Sequence, residues 1–361
     1  MTAPQTTGRR FDAAAAGVAA ILALGVLLSA LPLAATLGEM GVRALRHPDR
    51  NTPVALSGPA EEVRRLLRID AAAQEPLDPE FTAPPPAPVD MTGMTLVFHD
   101  EFDRLDLYDP ARGAGTWKTS FIFGKQTGPD AYESRTLSGS DDSIMIYVDK
   151  AFPGLARRPL GVDPFSVRNG VLTITARRIA AAERRHLWDY RFTSGLITTE
   201  KSFRQTYGYY EIRAKVPLVQ GAWPAFWLLP TDSSWPPEID ILEQIGGRTV
   251  FFSKHSKAGG VDSHATTPWP LHDAEAFHTY GLLWTASTLT WYLDGRAVAA
   301  TATPSDMTKP MYLLANLAMG GRWPGNPDPR TASAAFQIDY IRAYSLPPDR
   351  IGTPNPGPSG R

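Results

Sequence analysis

Trp235-Pro236-Pro237-Glu238-Ile239-Asp240-Ile241-Leu242-Glu243 sets three carboxylates among branched apolar residues. That mixture reads as a buried β-strand. Strand side chains alternate faces, so Glu238 and Asp240 share one face while Ile239 points to the other. Strict alternation puts Glu243 on the wrong face. One extra residue, a β-bulge within Ile241-Leu242, brings it back beside the other two acids. Acids on a core strand are costly to bury, and chemistry is the usual reason to tolerate them. No basic residue lies between Thr231 and Gly247, so the acids must share protons, find hydrogen bonds or shift their pKa values.

Two carboxyl groups spaced along a strand can cleave a glycosidic bond. One stays ionised to attack the anomeric carbon, and the other stays protonated to assist the leaving oxygen. Asp240, between the two glutamates, couples their titration. Two strand steps are ~6.7 Å, so the backbones of the outer glutamates are far apart but their long side chains can lean together. A carboxyl gap near ~5.5 Å indicates retention of configuration and a wider one inversion. Trp223, Trp227 and Trp235 lie close by. Aromatic faces stack on the C–H-rich faces of sugar rings while polar groups read the hydroxyls. Trp223, between Gly221 and Pro224, fits a cleft, whereas Trp227 in Ala-Phe-Trp-Leu-Leu reads equally as core packing. Trp117, Trp284 and Trp291 read as core.

Outward from this stretch, short apolar or alternating runs recur from Thr95 onward, separated by Gly, Pro, Asn and Asp. Long helical periodicity is absent. The spacing predicts an all-β, antiparallel β-sandwich rather than a parallel α/β fold. The body is expected as one domain over residues 91–346, followed by a disordered tail over 347–361. The 361 residues carry 36 basic and 37 acidic side chains, a formal charge of −1. This balance leaves no electrostatic footprint for nucleic acid. No cysteine is present, which excludes disulfides and thiolate chemistry. The stretch Arg177-Arg178 to Arg184-Arg185-His186 reads as a solvated basic loop.

Residues 1–42 read as a short basic stub and a membrane segment. Ala13 to Gly38 carries no charge, with Arg9 and Arg10 before it and Glu39 after it. The run is long enough to cross a bilayer as a helix. A cleaved signal peptide is the rival reading, since Leu33-Ala34-Ala35 offers small residues near a cleavage point. Either reading places the bulk of the protein outside the cytosol, anchored by residues 13–38 or secreted after cleavage. Residues 43–90 read as a Pro/Ala-rich stalk, with Phe81 to Pro88 a semi-rigid spacer.

Several phrases then carry a resemblance. Val97 to Phe102, Tyr207 to Pro217, Gly221 to Trp227, Glu238 to Glu243, Phe277 to Gly281, Trp291 to Gly295 and Asp339 to Tyr344 resemble glycoside hydrolase family 16, in family order over residues 95–345. The spelling E-x-D-x-x-E is similar to the bulged, laminarinase-like branch. Phrases such as Trp117 to Phe121 and Lys309 to Leu314 resemble bacterial exopolysaccharide endo-glycanases.

The resemblance implies a β-jelly-roll with a concave substrate cleft and a retaining endo-hydrolase acting on β-1,3- or β-1,3/1,4-linked glucan or exopolysaccharide. It implies Glu238 as nucleophile, Glu243 as general acid/base and Asp240 as the residue that orients and tunes the nucleophile. It places Arg213 and Trp223 along the cleft, with Asn316 and Trp323 as further candidates. His255 falls on the strand beside the catalytic one, where an ordinary exposed strand histidine is the other reading. The chemistry requires no cofactor. Family members often carry a structural calcium, for which Glu101, Asp339 and a carbonyl near Gly170 are candidates; hard oxygen ligands suit it, and local hydrogen bonding by these acids is the alternative.

Relatives usually have an Asn-Glu pair where this chain reads Gly139-Ser140-Asp141-Asp142-Ser143, which bears on the substrate preferred. The expected partner is a polysaccharide, met by a monomer held at a membrane through the N-terminal segment. A transglycosylase sharing the covalent intermediate is one alternative. A non-catalytic polysaccharide-binding protein is the other, and the three retained acids argue against it.

Overall fold

The computed structural model describes residues 78–137 and 143–355. The apolar segment 13–38 and the stalk up to residue 77 lie outside the described residues. Among those described, no helix is long and apolar enough to cross a membrane.

The strands are β1 (Thr95–Asp100), β2 (Met145–Tyr147), β3 (Phe165–Arg168), β4 (Val171–Arg178), β5 (Phe192–Ser194), β6 (Leu196–Thr198), β7 (Gly208–Lys215) and β8 (Ala222–Pro230). They continue as β9 (Glu238–Gln244), β10 (Thr249–Ser256), β11 (Ser263–Pro270), β12 (His278–Trp284), β13 (Thr288–Leu293), β14 (Arg296–Ala302), β15 (Met311–Met319) and β16 (Ser333–Ser345), with one turn of helix, α1 (Pro348–Ile351). They form two sheets. One has ten strands along the path β14-β13-β12-β7-β16-β4-β5-β2, with β1 on β16 and β3 on β4; the other has six, in the order β11-β10-β9-β8-β15-β6. Apart from the short β2–β5 pair, the ladders are antiparallel. The fold is the expected all-β sandwich.

Alternation explains why these sequences make two layers. On β8, Phe226 and Leu228 are fully buried in the core, while Trp223, Ala225, Trp227 and Leu229 turn the other way and line a cleft. On β10, Val250 and Phe252 enter the core, while Phe251, Ser253 and His255 face that cleft. Each large apolar side chain buried this way contributes roughly 1.5–3 kcal/mol. The sheets lock together through Trp291 of β13, whose Nε1 donates to the Asp240 carbonyl across the interface at 2.8 Å.

Both ends of the domain extend further than the sequence suggests. The Pro-rich spacer is paired, not free, where it is described. Thr82 and Ala300 exchange backbone hydrogen bonds, Val89 donates to Gly295, and Ala297 donates to Ala87. Phe81 is buried against Trp291, ring centroids 5.3 Å apart. Proline cannot donate to a ladder, so the segment's hydrogen bonds at the edge strand β14 run through Thr82, Ala87 and Val89, with Pro88 opposite Arg296. The tail is likewise ordered as far as it is described. Arg350 of α1 donates to the Thr92 carbonyl, and Asn355 Nδ2 to the carbonyls of Ser287 and Thr303.

Candidate active site

The bulge is present on both flanks of β9. Against β8, Trp227 pairs with Asp240 and Phe226 with Leu242; against β10, Ser253 pairs with Asp240 and Phe251 with Glu243. One β9 residue is skipped in each ladder. Ile239, Ile241 and Leu242 enter the core, and all three acids end on the face that lines a cleft of about 840 Å³.

Each outer glutamate is held by a tryptophan. Trp235 Nε1 donates to Glu238 Oε2 at 2.7 Å, and Trp223 Nε1 donates to Glu243 Oε1 at 2.9 Å. Hydrogen bonds to a charged acceptor are worth roughly 1.5–3 kcal/mol each, and here they also fix where each carboxylate points. A second donor reaches Glu243 from β10: Ser253 Oγ donates to Oε2 at 3.0 Å. Thr266 of β11 donates to Ser253 in turn, at 3.0 Å, and its hydroxyl lies 2.7 Å from His264 Nε2. A polar relay thus runs from the cleft rim to Glu243.

Asp240 lies between the glutamates and is buried. Burial, then the charges of Glu243 and Glu238, push its carboxyl well above the usual aspartate range. His255 Nε2 stands 3.6 Å from both Glu238 Oε1 and Asp240 Oδ2. Its ring stacks on His264 with centroids 4.2 Å apart. Burial, helped by His264 and Lys254, lowers its pKa to about 4, so near neutral pH it is an uncharged imidazole.

Two exposed indoles mark the ends of the acid row. Trp235 is 62% exposed beside Glu238, and Trp323 is 38% exposed at the Glu243 end, packed edge-on against Trp223. Between them the cleft wall includes Phe121 and Phe123, which stack on each other at 4.7 Å. Trp227 serves both readings of it. It lines the cleft yet is buried, its Nε1 donating to Asn316 Oδ1 at 2.7 Å. Asn316 donates onward to the Tyr147 hydroxyl at 3.0 Å. Gly221 makes the approach to Trp223 possible. Its φ of +81° suits glycine, and a Cβ there would meet the Pro327 backbone nitrogen at 2.6 Å.

The cleft gathers Trp223, Trp227, Trp235, His255, Asn316 and Trp323 around the three acids. Arg213 is the exception. It lies on β7 in the ten-stranded sheet, where Ile212 and Ala214 enter the core and Arg213 turns outward to pair with Asp339 and cover the Phe277 ring. The resemblance places Arg213 along the cleft, but its strand belongs to the other sheet. Ser253, Thr266, His264, Phe121 and Phe123 also line the cleft, without a sequence signal that singles them out. Ser253 shares a face with His255 by two-residue spacing, but Thr266 and His264 join only through the β10–β11 register, Ser253 opposite Thr266 and His255 opposite His264.

The calcium candidates do not fit as carboxylate donors. Both Glu101 oxygens accept from Arg342, at 2.9 Å each, and Asp339 is held by Arg213. With each acid neutralised by a guanidinium, the local charge does not favour a hard dication. Gly170 does sit beside the Glu101 carbonyl, 3.6 Å from where its Cβ would stand. In the segment that departs from relatives, residues 138–142 lie outside those described, and the Ser143 hydroxyl is buried without a hydrogen-bond partner.

Comparison with known proteins supplies the family. The model for glycosyl hydrolases family 16 matches residues 160–342, and a β-glucanase of Rhodothermus marinus is 31% identical over 204 residues, 49% of this chain and 69% of that one. The chain belongs to glycosyl hydrolases family 16. Within the family it is similar to the endo-1,3-1,4-beta-glycanase ExsH of Rhizobium meliloti (strain 1021), 42% identical over 263 residues, which are 72% of this chain and 54% of that one. The chain thus spans about half the length of that relative. Its fold is similar to the laminarinase catalytic domain of Thermotoga maritima MSB8, with a TM-score of 0.53 at 29% identity over 70% of this chain and 98% of that one. The bulged acid row and its two indole clamps lie within the matched residues.

Proposed function

We propose that this chain is a retaining endo-β-glycanase hydrolysing β-1,3- or mixed β-1,3/1,4-linked glucan or a related exopolysaccharide. The observation that carries the reading is the bulge, which sets three acids on one cleft face with a separate indole donor on each outer glutamate. Glu238 attacks the anomeric carbon and forms a glycosyl ester while the C–O bond to the leaving sugar breaks. Glu243 gives its proton to that leaving oxygen. As a carboxylate it then takes a proton from a water, whose oxygen displaces Glu238 and restores the starting configuration. Neutral Asp240 offers a proton to Glu238, steadying the carboxylate as its charge changes. The relay through Ser253 and Thr266 keeps Glu243 aimed. The flanking Trp235 and Trp323 give sugar rings a stacking surface on both sides of the scissile bond, which suits cleavage within a chain. No step calls for a cofactor.

The test is reducing-end release from a β-1,3-glucan and a mixed-linkage glucan, with the configuration of the first product read by proton NMR. Glu238→Gln and Glu243→Gln are each expected to lose at least ~10³-fold in kcat while keeping their fold. Unchanged turnover in either variant removes the assignment, and a first product of inverted configuration removes the covalent intermediate.

Residues 13–38 are proposed to carry the domain out of the cytosol, as an anchor or a cleaved leader, on the basis of their uncharged run after Arg9-Arg10. Sequencing the N-terminus of protein recovered from membranes and from medium distinguishes the two. A start near residue 36 means cleavage, and an intact N-terminus in a cytosolic fraction alone removes the proposal.

A further inference from the structure

Two distances in the acid row fit no hydrogen bond. His255 Nε2 lies 3.6 Å from Glu238 Oε1 and 3.6 Å from Asp240 Oδ2, beyond the range in which an N–H shares its proton usefully with oxygen. Asp240 Oδ2 is buried and has no hydrogen-bond partner. A buried carboxyl oxygen without a hydrogen-bond partner is costly, and its neighbour is a ring nitrogen that does not reach it. The spacing suits something placed between the three groups. Two ligands at ~2.1 Å from one ion in tetrahedral geometry stand ~3.4 Å apart, close to what is seen here. The three donor atoms all lie within 4.8 Å of one another.

We propose that Glu238, Asp240 and His255 bind a divalent transition ion of the zinc class, and that the ion reversibly stops turnover by occupying the nucleophile. The inhibitory half rests on the assignment of Glu238 above; the binding half does not. One imidazole and two carboxylates suit zinc or cobalt, whereas calcium and magnesium prefer all-oxygen sets. Three protein ligands with the cleft on the fourth side leave a position for water, as in open zinc sites.

The ligands are held before any ion arrives. Glu238 and His255 are register partners on adjacent strands, and the His255 ring is fixed between His264, at 4.2 Å, and Trp235, at 5.7 Å. Glu238 Oε1 stands 3.6 Å from His255 Nε2 while Oε2 keeps its bond from Trp235. The neighbouring cation does not compete for the acids: Lys254 alternates to the opposite face and pairs with Glu80 at 2.6 Å. A dication in this pocket would release the proton that Asp240 offers to Glu238, balance the two carboxylates that result and give Asp240 Oδ2 a partner.

The experiment is calorimetric titration of the EDTA-treated protein with zinc chloride at neutral pH, repeated with cobalt chloride while recording the visible spectrum. One equivalent is expected, with a cobalt d–d band, and neither calcium nor magnesium should compete. His255→Gln and the near-isosteric Asp240→Asn should each weaken binding at least about tenfold, with circular dichroism confirming their fold. Zinc should inhibit glucan hydrolysis with a constant matching the titration, and EDTA should restore it. No saturable binding below about 1 mM, or wild-type affinity in both variants, overturns the proposal. Hydrolysis that proceeds undiminished on the zinc-loaded protein overturns its inhibitory half. A chain that binds zinc as expected but cleaves no glucan leaves the metal site standing and removes the hydrolase reading instead.

Discussion

Asp240 carries an acid–base consequence that reaches from chemistry into stability. Burial, then Glu243 and Glu238, hold its carboxyl well above the ordinary aspartate value of 3.8. The unfolded chain ionises this group first, so folding takes up a proton at any pH between the two values. The stability associated with the neutral form is full below the unfolded value and declines as pH rises toward the folded one. Asparagine has the same shape and stays neutral throughout. Asp240→Asn is therefore expected to melt several degrees above wild type at pH 7, with the gap shrinking toward pH 4 in calorimetric scans. A gap independent of pH would contradict the buried neutral acid. The same variant should lose roughly 10²-fold in kcat, because an amide cannot share a proton with Glu238. His255 has the opposite sign. Its folded value near 4, against 6.5 ordinarily, means that the unfolded ring protonates first, so its contribution is present above 6.5 and lost as pH falls toward 4. His255→Gln should flatten the acid side of the stability profile over that window, read by the same scans.

At the scale of the element, β9 shows which features a sequence displays and which it hides. The bulge was legible because it is local: three acids at uneven spacing among core residues permit one face only if a residue is skipped. The indole clamps were partly legible, since tryptophans near an acid row suggest a cleft, but not which indole holds which glutamate. Arg213, which the resemblance places along the cleft, lies on the other sheet, and its own strand pattern does not reveal this. Alternation says which way a side chain points relative to its own strand, but not which sheet that strand joins. The Ser253–Thr266–His264 relay depends on hairpin register, set by the turn geometry between β10 and β11 and not by any one residue. The bulge also makes a direct prediction. Skipping Ile241 leaves Trp227 opposite Asp240, Phe226 opposite Leu242 and Ala225 opposite Glu243. Deleting Ile241 should therefore give a regular ladder with the three acids still on one face. That variant is expected to fold at lower melting temperature, having lost a buried isoleucine worth about 2–5 kcal/mol, and to retain hydrolysis within ~10²-fold of wild type. Inserting an alanine between Ile241 and Leu242 makes the Asp240–Glu243 spacing four residues, so a regular ladder keeps both acids on one face but carries Glu243 two residues further along the strand from Asp240, and hydrolysis should fall to background. Equal loss in both would mean that the bulge does more than set the face.

For the molecule as a whole, the domain boundary lies earlier than composition suggests. Prolines at 84–86 and 88 signal stiffness, and nothing in them reveals a partner; the partner is the edge strand β14. Its neighbour residues tie this segment to the chemistry. Glu80 neutralises Lys254, whose ammonium is otherwise buried beside β9. Phe81 covers Trp291, and Trp291 donates to the Asp240 carbonyl at the start of the bulge. Removing residues 78–90 should therefore do two things at once. It strips a buried aromatic, a loss of about 3–5 kcal/mol, and leaves a lysine without its counter-charge, a smaller cost because Glu80 itself is half exposed. With roughly 2–4 °C of melting temperature per kcal/mol in a domain of this size, a chain begun at Met91 should melt about 10 °C or more below one begun at Asp78. Because the indole that braces Asp240 loses its cover, kcat on glucan should fall further than KM rises. Glu80→Ala combined with Phe81→Ala, in the otherwise intact chain, should reproduce most of both effects. If the chain begun at Met91 matches the longer one in calorimetry and in kcat, the segment is a spacer after all, and the support of the bulge comes from the ten-stranded sheet alone.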